Sequence, residues 1–419
     1  MADQSLVIDR GGELESPLVR RCIEAATRSA DAVETWRRQR RTLERLPSQL
    51  AEALLHRLLS RRLLYPSLLE VFKYSVEKVD LRGESSVDAE WMAYLGAFHF
   101  LYSLNLSDCH RINSSALWSL SGMSYLKELD LSRCSKVNDS GIKHLLSIRT
   151  IQTLCISETS VTPNGVTILS SLKKLSKLEL GGLFITDTAL LSLQGLTNLH
   201  HLDLWGSDIT NEGVDTLRES AFYPGIFQNS KKISLSSTRI DDVAIAYISM
   251  IPSLKEIDIS STYVTGGTGV ESSLAAFENL TNLKKLNLEE TPIKDEGVGP
   301  VFNFKELTHL SLKSNFLTDV SLHNLSGLSK LKSLGIRDAV LTDSGIDGFA
   351  PPRLLEVLDL RVLVVDVRKR FQFSSSPLKP EITAVIDERL KYSRAELLSM
   401  QFASTSIINN PGDSSVARE

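Results

Sequence analysis

The chain has 419 residues, 42% of them hydrophobic and 23% charged, with a formal net charge of -4. Those proportions describe a soluble globular protein with ample core material and exclude a disordered or fibrous one. No apolar run approaches the roughly 18–20 residues that a membrane span needs, so no membrane partner is expected.

In chain order, residues 1–15 read as disordered. The start, MADQSLVIDRGGELESP, lacks the basic-then-apolar pattern of a secretory signal. The four cysteines, Cys22, Cys109, Cys134 and Cys155, form no C-x-x-C pair. A reducing compartment, cytoplasmic or nuclear, is therefore expected. Residues 16–77 have a helical pattern, with helices expected over 17–28, 31–43, 48–60 and 66–76. Pro47 and Pro66 stand at or near helix starts. WRRQRR at 36–41 is Arg-rich, but without a recognised reading module it reads as a solvated face, and no nucleic-acid partner is expected.

From residue 78 the chain repeats. Segments such as LYSLNL, LKELDL, LSKLEL, LHHLDL and LTHLSL end on Leu81, Leu106, Leu131, Ile156, Leu180, Leu204, Leu235, Ile259, Leu288, Leu312, Ile336 and Leu360. The gaps are 25, 25, 25, 24, 24, 31, 24, 29, 24, 24 and 24 residues, the period of a leucine-rich repeat. Alternating apolar residues predict a short strand with one buried face. The turns that follow, such as VNDSG, ITNEG and LTDSG, carry Asp or Asn to cap a helix with apolar residues at helical spacing, as at Ile142, Leu145 and Leu146. The expected fold class is α/β, a leucine-rich-repeat solenoid over 78–365, with a curved parallel sheet on its concave face and short helices outside. No coil buries its apolar face alone, so the array needs stacking and caps.

The third residue after each final Leu or Ile runs Cys109, Cys134, Thr159, Leu183, Ser207, Thr238, Thr262, Thr291, Asn315. This slot is expected to point inward and satisfy loop backbone that would otherwise be buried unpaired. Cys109 and Cys134 are read as structural, since no other ligand cluster accompanies them. The two long gaps place insertions at AFYPGIFQNS (221–230) and YVTGGTGVESS (263–273). After Leu360, RVLVVDVRKRFQF reads as a last coil or cap, 366–402 as a helical cap and 403–419 as a disordered tail.

Residues flanking each final Leu or Ile are expected on the concave face. Trp205, between Gly181 and Ser236 on the neighbouring coils, is expected to be uncovered, like an interface anchor. His201 and Asp203 share its strand face. Cys155 falls in the same outward column as Asp203. Lys313, Arg337 and Arg361 form a basic stripe suited to an acidic segment or a carboxylate. No nucleophile stands beside His201 and Asp203, and no G-x-x-x-x-G-K-[ST], H-E-x-x-H, G-x-S-x-G or kinase motif set occurs. Neither catalysis nor a metal or other cofactor is expected.

Two segments before the repeats carry a resemblance. PLVRRCIEAA, with Pro17, Leu18, Cys22 and Ala26, resembles the BC-box by which ubiquitin-ligase receptors engage elongin C. LPSQLAEALL, with Leu46, Pro47, Leu50 and Leu54, resembles their cullin-contacting box. The order of these boxes and repeats is similar to the zyg/zer class of cullin-RING substrate receptors and plant-type relatives, without that class's armadillo-like region. The resemblance implies a substrate receptor in which Leu18, Cys22, Leu46, Pro47 and Leu50 dock elongin C and a cullin, and the concave face takes an unidentified substrate protein. An F-box would also begin with L-P and precede such repeats, docking a Skp-type adaptor. The alternative is an interaction scaffold in signalling or defence, with residues 16–77 acting only as a cap.

Overall fold

The computed structural model describes residues 16–38, 45–219, 230–267, 273–314 and 316–364. Residues 1–15, 39–44 (the end of the expected helix 31–43), 220–229 and 268–272 at the insertions, Asn315, and 365–419 with the expected cap and tail lie outside the described residues. The chain divides into two units, Met1–Ile209 with Glu219–Ser230, and Thr210–Arg218 with Lys231–Glu419.

The first unit begins with α1 (Pro17–Ala26), α2 (Ala30–Arg37) and α3 (Ser48–Ser60). Ser16 and Ser29 cap the first two helices by accepting from Val19 N at 3.4 Å and Ala32 N at 3.2 Å. The fourth expected helix is a 3-10 segment, Pro66–Phe72. Its buried pairs, Leu68 with Val71 and Leu69 with Phe72, are three residues apart, and three residues per turn put each pair on one face.

Strands β1 (Lys78–Asp80), β2 (Ser103–Asn105), β3 (Glu128–Asp130), β4 (Thr153–Cys155), β5 (Lys177–Glu179) and β6 (His201–Asp203) pair in parallel and in sequence order. The register aligns Val79, Leu104, Leu129, Leu154, Leu178 and Leu202 in one buried column. The first edge is closed by α3, which buries Ala51, Leu54, Leu55 and Leu58. Its Glu52 Oε1 accepts from Glu77 N at 3.2 Å and Lys78 N at 2.9 Å, donors that a bare edge strand would leave open.

The second unit continues with β7 (Lys232–Ser234), β8 (Glu256–Asp258), β9 (Lys285–Glu289), β10 (His309–Lys313), β11 (Ser333–Leu341) and β12 (Val357–Val364), again parallel and in order. β11 and β12 run longer than the repeat predicts. Their pairing resumes past an irregularity between Arg337 and Val340, with Val340 opposite Leu363 and Leu341 opposite Val364. Each unit is a leucine-rich-repeat solenoid, with short α or 3-10 helices opposite the strands.

The turns cap the helices only in part as predicted, for in ITNEG and LTDSG the preceding Thr210 and Thr342 accept instead, from Glu212 N at 3.2 Å and Gly345 N at 3.1 Å. Asp88, Asn113, Asn138 and Asp241 cap helices through Glu90 N, Ala116 N, Ser140 N and Val243 N at 2.8–3.0 Å. A second set of rungs joins the coils. Asp139, Asp242, Asp295 and Asp319 each accept from the hydroxyl of a Thr on the next coil, namely Thr162, Thr265, Thr318 and Thr342, at 2.5–2.6 Å.

The inward slot does its expected work at six coils, in two ways, but Ser207 Oγ is buried without a hydrogen-bond partner among the described residues. Cys109 Sγ and Cys134 Sγ donate to Leu81 O and Leu106 O on the preceding coil at 3.1 and 3.2 Å. Burial pushes these thiols up to about 11 and about 12. Thr159, Thr238, Thr262 and Thr291 instead donate to the carbonyl of the final Leu or Ile of their own coil at 2.6–2.8 Å. Leu183 is simply buried.

One residue before that slot the backbone turns left-handed, at Gly83, Gly182 and Gly206 but also at Asp108, Arg133, Glu158, Ser237, Ser261, Glu290 and Asp338. At Ser237 (φ 55) the side chain is exposed and its N–H donates to Ser260 O at 2.8 Å. Ser237→Gly removes the left-handed penalty while keeping that bond, partly offset by glycine's greater freedom when unfolded. It is expected to stabilise the protein by about 0.5–1 kcal/mol, read as a higher urea midpoint with unchanged slope.

Candidate functional site

Three surfaces hold the residues singled out by sequence. The first is the outer face of β4–β6, the side away from the core. The Trp205 side chain is 36% exposed but not uncovered on both faces, as its small neighbours had implied. A Cβ on Gly181 would lie 1.9, 2.1 and 2.6 Å from Nε1, Cδ1 and Cε2 of Trp205. Such similar distances to three contiguous ring atoms mean that the indole lies face-on over Gly181. Its benzo end reaches Gly182, where a Cβ would meet Cη2 at 3.2 Å. The two glycines form a seat, so one ring face is packed.

His201 lies with Nε2 3.8 Å from Glu179 Oε1 on the adjacent strand. Asp203 Oδ1 accepts from Trp205 N at 3.1 Å and so holds the turn that carries the tryptophan. The same staple recurs at Asp80, Asn105, Asp130, Asp258 and Asn287, so this outward polar column is partly a backbone device. The sequence placed Glu179 on this face without singling it out and missed Lys177, whose Nζ is 2.7 Å from Glu179 Oε1. Their signal was the coil spacing, since they pair in register with His201 and Asp203. Burial alone would raise the Glu179 carboxyl, but hydrogen bonds from Lys177 and Cys155 and the charge of Lys177 hold it below the usual range. Cys155, expected in the hollow, is only 4% exposed. Burial, then the hydrogen bond and charge of Glu179, push its thiol above the usual range. A thiol so held is a weaker nucleophile than a free one.

The second surface is the basic stripe. Lys313, Arg337 and Arg361 align in register as expected, but the first two charges are already answered. Lys313 Nζ is 2.6 Å from Glu290 Oε1 and 3.8 Å from Asp338 Oδ2. Arg337 is 3.0 Å from Asp359 Oδ2 and 3.3 Å from Glu289 Oε1. The expected open receptor for a carboxylate is therefore corrected to an ion-paired surface. The Arg361 side chain lies outside the described residues. Beside Lys313 is an open depression of about 580 Å³ bordered by Tyr263, Glu290, Pro292 and Asp338.

The third surface is α1. Leu18 is 71% exposed, and Cys22 and Ala25 are exposed at the next positions of the same stripe. The opposite stripe, Val19, Ile23 and Ala26, is half-buried. The helix is fastened at its far end, where Trp36 Nε1 donates to Ala26 O at 2.9 Å and Arg61 donates to Thr27 O at 2.8 Å. The cap on the solenoid is α3. Its Leu54 is 5% exposed, whereas Pro47 is exposed and Leu46 and Leu50 are half-buried.

Among the described residues no group of His, Cys, Asp and Glu is arranged to hold a metal ion, and no helix is long and apolar enough to cross a membrane. The Leucine Rich repeat family model matches residues 122–146, 195–217 and 279–301. No curated protein matches the chain. Among solved structures, the chain is similar to an internalin (inlF) from Listeria monocytogenes, at 21% identity and a TM-score of 0.49, covering 76% of this chain and 89% of that one. An internalin C2 (inlC2) from the same organism is 21% identical with a TM-score of 0.35, covering 60% and 84%.

Proposed function

We propose that this leucine-rich-repeat chain is a non-catalytic protein-binding scaffold of the cytoplasm or nucleus that serves as a substrate-recognition subunit of a cullin-RING ubiquitin ligase. The observation that carries the reading is the free stripe of α1. A helix needed only as a cap buries its apolar residues, yet Leu18 and Cys22 face solvent while α3 closes the sheet. An exposed i, i+4 apolar pair on an anchored helix is the anchor set a groove-type adaptor takes. Pro47, with Leu46 and Leu50, supplies the adjoining contact towards a cullin, and the outer face of the sheet presents cargo.

A plain scaffold in signalling or defence is favoured by one observation. The L-P helix is largely spent on capping through Glu52 and Leu54.

Pull-down of the full chain with purified elongin C, and separately with a Skp-type adaptor, decides between them. Leu18→Asp with Cys22→Asp is expected to weaken elongin C binding at least about tenfold, because desolvated anchors dominate such interfaces. Stability should change by no more than about 0.5 kcal/mol, since both positions are exposed. Capture of the Skp-type adaptor instead would identify an F-box. Capture of neither would leave the plain scaffold.

A further inference from the structure

Trp205 and its surroundings specify a partner chemistry. We propose that the outer face of β4–β6 receives an arginine side chain from an extended segment of a partner protein, its guanidinium stacked on Trp205 in the net negative charge of this face. This rests on the reading that the outer face of the sheet takes cargo, and it names what that cargo must carry.

The ring geometry comes first. With one face on the Gly181–Gly182 backbone, the indole has its rotation restricted and can offer only its other face and rim. Any side chain at Gly181 would occupy the space of the ring, since even a Cβ falls 1.9 Å from Nε1. Gly182 adds a left-handed turn (φ 69) that places its backbone under the benzo end. A fixed aromatic platform costs little side-chain entropy on binding, which is what makes tryptophan an effective anchor.

Charge then selects the ligand. The outward residues of β3–β6 and the turns that follow carry Glu128, Asp130, Glu158, Glu179 and Asp203 against only Arg133 and Lys177 as permanent cations. Both cations are already matched, Arg133 with Glu158 at 2.9 Å and Lys177 with Glu179 at 2.7 Å. The surplus is negative, so the surface attracts cations and repels phosphate backbones and acidic peptides. Among cations, guanidinium matches best. It is planar, stacks on an indole face, is less strongly hydrated than an ammonium, and donates a fork to carboxylates. The approach also suits an extended chain. Ser107, Ser132, Ser157 and Gly181 run in one column of small residues that ends at Trp205.

The test uses the full chain and blocked hexa-arginine, hexa-lysine and hexa-citrulline peptides, with binding read by calorimetry and tryptophan emission. Hexa-arginine is expected to bind saturably and at least about tenfold more tightly than either other peptide. Trp205→Leu, Gly181→Ala (which displaces the ring while retaining it) and Glu179→Gln with Asp203→Asn are each expected to lose about tenfold or more. Glu290→Gln with Asp338→Asn, on another part of the sheet edge, should change little. Equal binding of the arginine and lysine peptides, or binding unaffected by Trp205→Leu, overturns the proposal. Its failure with adaptor capture intact would leave the ligase reading standing; loss of adaptor capture with arginine binding intact would do the reverse.

Discussion

Replacing Phe277 with alanine is expected to cost about 3–5 kcal/mol of stability, the range for deleting a fully buried phenylalanine. Phe277 lies in the 3-10 segment Ser273–Asn279, is 0% exposed, and has its ring centroid 6.5 Å from that of Phe304. Eleven residues before nine of the twelve final Leu or Ile residues, the coils present Leu95, Leu120, Leu145, Leu169, Leu193, Ile248, Phe277, Val301 and Leu325, all buried. In that column the large ring of Phe277 is followed by the smaller Val301. Truncation opens a cavity that neighbours held by their own strands cannot collapse into. Phe277→Leu, which restores much of the volume, should lose about 1.5 kcal/mol or less. Urea unfolding of the two variants checks the pair. A loss below 1 kcal/mol for the alanine variant would contradict the packing described for this column. Because repeat arrays couple mainly through nearest neighbours, hydrogen exchange should quicken most in the coils flanking Phe277.

Asp242→Ala is expected to cost about 2–4 kcal/mol, from several charge-assisted hydrogen bonds lost together. Its carboxylate accepts from Thr265 Oγ1 at 2.5 Å, Gly266 N at 2.9 Å, Ser273 Oγ at 2.7 Å and Thr265 N at 3.2 Å. Gly266 has little room to shift towards another acceptor. Gly266 has φ +80, and a Cβ there would fall 2.6 Å from Gly297 Cα. Thr265 is exposed, so its freed donors turn to water, whereas Gly266 N and Ser273 Oγ are part-buried and losing their acceptor costs more than the bonds themselves. Asp242→Asn keeps one acceptor oxygen and should lose roughly half as much. Denaturation together with exchange at the Thr265 and Gly266 amides reads the result. Unchanged protection of those amides in the alanine variant would show that the loop is held by something else.

The repeats made much of the fold legible. Their spacing placed each strand, and the structure pairs the strands in that register, since a parallel coil has to return its apolar residue to the same column. The capping residues were legible in part, because an Asp or Asn before an apolar helix acts within a few residues of itself, but Thr210 and Thr342 took the role expected of the residue after them. The inward slot was legible as well, although its two modes were not. Cys109 reaches the previous coil and Thr238 only its own, a difference that one-letter similarity among small polar residues conceals.

The candidate site was legible only in part. Trp205, His201 and Asp203 share a face, as alternation requires, and Leu18 with Cys22 lie together on an open helix stripe. Lys177 escaped notice, and Glu179 was not singled out, because they matter only beside residues a full coil away. Cys155 and the basic stripe were misjudged for the same reason. Each was assigned to solvent by position along its own strand, without regard to what the next strand brings alongside.

By itself the sequence determined the period, the column of each apolar residue, the capping chemistry and the order of elements, because each follows from spacing along one chain. Tertiary structure decided which outward charges are spent. Stacking sets residues some 24 apart side by side in the sheet, as with Lys313 and Glu290, Arg337 and Asp359, or Trp205 and Gly181. Whether a side chain there faces a partner or solvent depends on its neighbours' size, charge and rotamer, which no local pattern encodes.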